Sequence, residues 1–149
     1  MKNRSVPVDT VLPHLYYRDL AGAIEWLKNT FGFVEHYRYG DPAKGLVDGA
    51  QLRMGNAYVM VSGFRGNRSS PAEAGIETQS LTIFLDDVDA HYRKVKATGA
   101  RLTEQLHETV YGELQYGVLD VEGHAWLFSQ HAKDLSPSEW GATIAKPGF

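Results

Sequence analysis

Six histidines, His14, His36, His91, His107, His124 and His131, are the residues of this chain best suited to moving a proton or holding a metal ion. Imidazole changes charge near neutrality and serves as acid, base or ligand. Their spacing offers no ready-made centre, because no two stand four positions apart and no HExxH pattern occurs. Cysteine is absent, which removes thiolate metal sites, disulfides and a Cys nucleophile together. Ser62 and Ser80 sit in no GxSxG elbow, and Gly63-Phe64-Arg65-Gly66 lacks the lysine of a phosphate loop. Two candidates for general-base chemistry remain, His14 and Glu113. An apolar cleft makes a carboxylate a stronger base, as an isomerase-type proton transfer requires.

The elements that would position these groups follow from periodicity. Residues 111–131 read as an antiparallel hairpin, with a turn at Asp120-Val121-Glu122-Gly123 between an apolar run ending at Leu119 and the aromatic strand Ala125-Trp126-Leu127-Phe128. Upstream, Thr10 to Arg18 predicts a strand, with Pro13 marking an edge or an irregular start. Asp19 is placed as an N-cap, and Leu20, Ala23, Ile24, Leu27 and Phe31 recur at helical spacing until Gly32. Strands are expected at 33–39, 46–54 and 57–61, then at 80–85 and 101–107, with a second helix capped by Asp86-Asp87 and ending at Gly99. Residues 1–9 read as a loose lead-in. Residues 63–79, rich in Gly, Ser, Pro and charge, have the composition of a flexible connector, and a loop of that length is usually a linker or a lid. Ser136, Pro137 and Glu139 signal one capped turn near the end.

The two halves repeat the same order. Leu20, Ile24 and Leu27 shift by 68 positions (88 − 20) onto Val88, Tyr92 and Val95, and Gly55-Asn56-Ala57-Tyr58 shifts by the same 68 (123 − 55) onto Gly123-His124-Ala125-Trp126. Coincident offsets predict an internal duplication of a βαβββ unit. Module 1 then spans about 10–63, the connector 63–79, module 2 about 80–131 and a tail 132–149, all within one domain of 149 residues.

Leu15-Tyr16-Tyr17-Arg18-Asp19-Leu20 with Ala23-Ile24-Glu25-Trp26-Leu27 and Phe31-Gly32-Phe33, together with Tyr116-Gly117-Val118 and Asp120-Val121-Glu122-Gly123-His124-Ala125-Trp126-Leu127-Phe128, resemble the vicinal oxygen chelate superfamily. That group contains glyoxalase I, bleomycin resistance proteins and extradiol dioxygenases, and the likeness covers roughly residues 10–131. It implies an α+β fold in which two βαβββ modules curl mixed sheets around a shared cleft, with helices outside, in a small cytoplasmic homodimer. Metal enzymes of the family hold a divalent cation with His, Gln or Glu from the first and last strands of each module. Carried over, those positions fall on Leu12, on Val59 or Met60, on Ser80 and on Leu127, none of which is a good ligand. A first-strand register shifted by two would bring in His14, with Glu113 or His107 joining it. The resemblance therefore implies a metal-free pocket, with a divalent metal as the alternative.

Strand alternation puts His14 and Tyr16 on one face, and Ser80, Thr82 and Phe84 on another. With Met60, Gln115 and Leu127 these are the expected ligand contacts, and Tyr111 lies near the same hairpin mouth. Aromatic walls with a few polar groups suit a planar, drug-sized compound. The expected function is a binding or sequestering protein, with a metal-dependent or metal-free lyase, isomerase or dioxygenase as the alternative. A formal net charge of −3 provides no field that gathers nucleic acid or anionic lipid. No stretch approaches the roughly 20 apolar residues of a membrane span, and MKNRSVPVD lacks a signal-peptide core. These features predict a cytoplasmic protein.

Overall fold

In the computed structural model, residues 11–145 are described; the lead-in 1–9 and Phe149 lie outside them. The chain divides into two units, one holding the residues through Gln79 together with 119–124, the other holding 80–118 and the segment from Ala125 onward. Strands and helices alternate as the duplication predicts, giving two four-stranded mixed sheets of identical order.

In the first unit the strands are β1 (His14–Tyr17), β2 (Val34–Asp41), β3 (Leu46–Met54) and β4 (Ala57–Gly63), ordered β1-β4-β3-β2. β1 runs parallel to β4 while the other neighbours are antiparallel. β1 is an edge, as Pro13 suggested, and the Pro13 carbonyl still accepts from the Met60 amide at 2.8 Å. Helix α1 (Leu20–Trp26) starts at Asp19, whose carboxylate accepts the Gly22 amide at 3.1 Å. The helix does not run regularly to Gly32 as its periodicity predicts. From Leu27 to Phe31 it widens into a π turn, and the Gly32 amide reaches back to both the Leu27 and Lys28 carbonyls. Gly32 closes it at φ +88°, a left-handed conformation that glycine adopts without Cβ strain. Leu20, Ala23, Ile24, Leu27 and Phe31 are all buried.

Register decides which strand faces oppose α1. Leu15, Val61 and Ala50 form one cross-strand row and are buried. Neighbours along a strand point oppositely, so the row His14, Met60, Gln51 lies on the other face, as does the row Tyr16, Ser62, Gly49.

After a short helix α2 (Pro71–Ala74) in the first unit, the second unit repeats the plan with β5 (Ser80–Phe84), α3 (Val88–Ala97), β6 (Leu102–Glu108), β7 (Glu113–Leu119) and β8 (Ala125–His131), ordered β5-β8-β7-β6. Asp87 caps α3 by accepting the Ala90 amide at 3.1 Å. Val88, Tyr92 and Val95 are buried at the positions that mirror Leu20, Ile24 and Leu27. Trp126 and Phe128 stack with ring centroids 6.4 Å apart, and Tyr116 stacks on Phe128 at 5.4 Å. Burying side chains of this size contributes on the order of 2 kcal/mol each to the unit's core. The tail forms a single 3₁₀ turn, Pro137–Trp140, with the Ser136 amide donating to Glu139 at 2.6 Å.

Candidate ligand cavity

The turn between β7 and β8 is fixed by a small set of polar contacts, and the cavity follows from it. One oxygen of Asp120 accepts the backbone amides of Glu122 and His124, each at 3.0 Å, while the other accepts the Tyr17 hydroxyl at 2.5 Å. Burial, then the adjacent Asp120 charge, holds the Tyr17 phenol well above its ordinary value, so it remains a neutral donor. Glu122 accepts the Arg18 amide at 2.7 Å and the Asp19 amide at 3.0 Å. Turn 119–124 is thereby locked to the junction of β1 and α1.

The segment 63–79 docks on that turn. It reads in sequence as featureless connector, yet its middle is one turn of helix, α2 (Pro71–Ala74), with Ser70 buried beside it. The Ala72 amide donates to the Glu122 carbonyl at 2.9 Å. Approach this close depends on Gly123, whose φ is +86° and where an added Cβ would stand 3.3 Å from the Ala72 nitrogen and 3.4 Å from the Pro71 Cβ. Glu73 pairs with Arg18 through both carboxylate oxygens, one contact being 2.9 Å from the Arg18 Nε. The guanidinium draws the Glu73 carboxyl below its usual range and is itself raised.

Docked this way, the segment forms one side of an open cavity of about 530 Å³ against β1. His14 and Tyr16 supply the strand wall, and His124 stands at the turn. His124 Nε2 donates to the Tyr16 carbonyl at 2.8 Å, so the hydrogen of a neutral ring sits on Nε2 and Nδ1 is its acceptor. The opposite wall runs through Asn67, Arg68, Ser69 and Ser70 to Pro71 and Ala74, then Ile76, Thr78 and Gln79. The Arg68 guanidinium lies over the Tyr16 ring, 5.5 Å from its centroid. The Ser70 hydroxyl is buried and makes no hydrogen bond.

Of the residues singled out in the sequence, His14 and Tyr16 line this cavity. Met60 lies beside His14 in register, but its sulfur is engaged by the Gln51 amide at 3.6 Å and the Tyr37 hydroxyl at 3.8 Å. Ser80, Thr82, Gln115, Leu127 and Glu113 belong to the second unit. There Thr82 pairs with Leu127, and Gln115 accepts the Tyr111 and Ser129 hydroxyls at 3.0 and 2.8 Å. Glu113 meets His131 at 3.3 Å through one oxygen, while the other is buried without a partner. Sequence reasoning missed Arg68, Ser70 and His124 as wall residues. The long connector was their one signal, since a loop of that length often covers a site.

The residues present do not fit a family-type metal centre. The β1 and β4 pair offers an imidazole and an engaged thioether, His14 and Met60, while the β5 and β8 pair offers a hydroxyl and an alkyl group, Thr82 and Leu127. Among the described residues no group of three His, Cys, Asp or Glu side chains is placed to hold a metal ion. Zn²⁺ or Mn²⁺ wants at least three nitrogen or oxygen ligands.

A family model described as Glyoxalase/Bleomycin resistance protein/Dioxygenase superfamily matches residues 8–128. The chain belongs to that superfamily. Its members of similar sequence include TioX from Micromonospora sp. ML1, whose crystal structure is 30% identical with a TM-score of 0.68, covering 86% of this chain and 100% of that one. An uncharacterized protein of Mycobacterium bovis, Mb0911c, is 28% identical over 142 residues, 91% of this chain and 92% of its own. The fosfomycin resistance protein FosX from Listeria monocytogenes shares the superfamily fold at 18% identity and a TM-score of 0.61, over 89% of this chain and 97% of its own. No helix among the described residues is long and apolar enough to cross a membrane.

Proposed function

We propose that this protein is a small-molecule binding or sequestering member of the superfamily, which takes a partly aromatic compound into the cavity of its first unit and needs no metal ion to do so. The observation that carries this reading is the wall itself. The Tyr16 ring, with the Arg68 Cζ 5.5 Å from its centroid, and Ile76 give flat and apolar contact, while Asn67, Ser70, Thr78 and Gln79 offer hydrogen bonds around it. A cavity of about 530 Å³ matches the size of drug-sized ligands. The bleomycin resistance proteins named in the family's description are consistent with sequestration.

The test uses the four isoleucines, Ile24, Ile76, Ile83 and Ile144, as methyl reporters. A library of planar aromatic compounds should contain binders that raise the melting temperature and shift the Ile76 methyl while Ile24, in the α1 core, stays in place. A ligand at 100 times its Kd adds about 2.7 kcal/mol to stability. A library that shifts neither readout removes the proposal.

A second reading, metal-free isomerase chemistry, is favoured by one observation, the buried and unpartnered oxygen of Glu113. Solvent deuterium entering a bound carbonyl compound in wild type, and not in Glu113→Gln, would support it; equal incorporation in both ends it. We further propose a cytoplasmic homodimer, in keeping with a cysteine-free chain and with the Tyr111 and Trp140 rings, 5.8 Å apart in the second unit. A monomeric mass by light scattering at micromolar protein contradicts the dimer.

A further inference from the structure

We infer that the cavity selects anionic ligands, binding an oxyanion of the carboxylate, phosphate or sulfonate type through Arg68 and Ser70. The inference rests on the binding reading of the same cavity and adds the charge of its occupant.

Charge supports it first. The chain carries more acidic than basic residues, 18 against 15, yet among the described residues those lining the cavity include Arg68 and no carboxylate. Glu73 and Glu77, which belong to the same segment, are outside the lining, and Glu73 is held by Arg18 through both oxygens. Arg68 therefore has no carboxylate partner among the described residues. A guanidinium is charged at any working pH, and one left uncompensated at a concave wall attracts anions.

Geometry supports it second. Arg68 has its Cζ 5.5 Å from the Tyr16 ring centroid and makes no ion pair among the described residues, so its N–H fork is left to meet two oxygens of a carboxylate or phosphate at once. Ser70 is an independent sign. Its hydroxyl is buried on the same wall and bonds to nothing, a state that carries a desolvation penalty unless a ligand supplies the missing partner. An oxyanion supplies the acceptors that the Arg68 guanidinium and the Ser70 hydroxyl both lack, and the ring of Tyr16 lies beside Arg68 for an attached planar body.

Matched probes on one naphthalene body test this by isothermal titration: 2-naphthoate, 2-naphthyl phosphate and naphthalene-2-sulfonate against the neutral 2-naphthamide, with Ile76 methyl shifts reporting occupancy. At least one anion should bind about tenfold or more tighter than the amide. Which one leads distinguishes carboxylate, phosphoryl and sulfonyl ligands. Arg68→Gln should abolish the preference, Arg68→Lys should retain part of it, and Ser70→Ala should weaken the anion alone. Arg68 is exposed, so folding is not at stake. The inference is overturned, with the binding reading intact, if the amide binds as tightly as every anion or if Arg68→Gln keeps the preference. An equal loss in Arg65→Gln also overturns it, because Arg65 is outside the lining and such a loss would mean diffuse charge. If no probe moves Ile76, both readings fall.

Discussion

The Tyr17 hydroxyl donates to the Asp120 carboxylate at 2.5 Å across 103 positions of chain, joining β1 to the turn from which His124 lines the cavity. Because the other Asp120 oxygen accepts two backbone amides, the two partners are not equivalent. Tyr17→Phe removes one donor and should cost about 1–2 kcal/mol in urea unfolding. Asp120→Ala strands three donors and should cost about 3 kcal/mol or more, and it should also loosen ligand binding. Equal losses in the two variants would show that the two amide contacts of Asp120 add nothing to its bond with Tyr17.

Alkaline pH should expose the same contact. Burial raises the phenols of both Tyr17 and Tyr116 in the folded protein. A raised folded value means that the native state keeps a proton which the unfolded chain releases near pH 10, so the stabilisation is complete below about pH 10 and falls as pH climbs toward the folded values. Each such tyrosine contributes a slope of about 1.4 kcal/mol per pH unit in that window. Urea titrations between about pH 9 and 11 should therefore show a shallower loss for Tyr17→Phe than for wild type. Parallel curves would mean that Tyr17 titrates in the folded protein as it does in the unfolded one.

What was legible in the chain was whatever periodicity governs. Leu20, Ile24 and Leu27 and their counterparts Val88, Tyr92 and Val95 are buried because helical spacing aligns each trio, and the offset of 68 between them foretold two sheets of one order. Alternation likewise separated His14 and Tyr16 from Leu15 and Tyr17. The wall from Asn67 to Gln79 has no period to read. Its course is set by tertiary bonds, Ala72 to Glu122 and Arg18 to Glu73, whose partners lie far apart in sequence. The π turn at Leu27–Phe31 escaped for a related reason, since a one-residue widening leaves the apolar pattern intact.

Gly123 should tolerate no side chain. At φ +86° an L-residue is strained, and the new Cβ would press on Ala72 and Pro71. Gly123→Ala should cost about 1–3 kcal/mol and, because Pro71 lines the cavity, lower the affinity for any ligand bound there. Gly32→Ala is the control: it shares the positive φ, but nothing lies within 4 Å of its added Cβ, so it should lose stability and leave affinity alone. A similar loss of affinity in both variants would show that docking of the connector on the turn is not what shapes the site.

Chelation should leave binding untouched. A family-type centre needs donors from paired strands, and here His14 is matched with a methionine while Thr82 is matched with a leucine. One imidazole and one thioether cannot compete with the water shell of Mn²⁺ or Zn²⁺. Protein purified without chelator should carry no stoichiometric metal by elemental analysis, and EDTA should not alter the affinity of a ligand that shifts Ile76. His14→Ala should weaken that ligand by removing part of the wall, with no accompanying change in metal content. Stoichiometric metal that disappears in His14→Ala would reverse this assignment, because the imidazole would then be a ligand for an ion and the cavity a catalytic centre of the kind its metal-dependent relatives use.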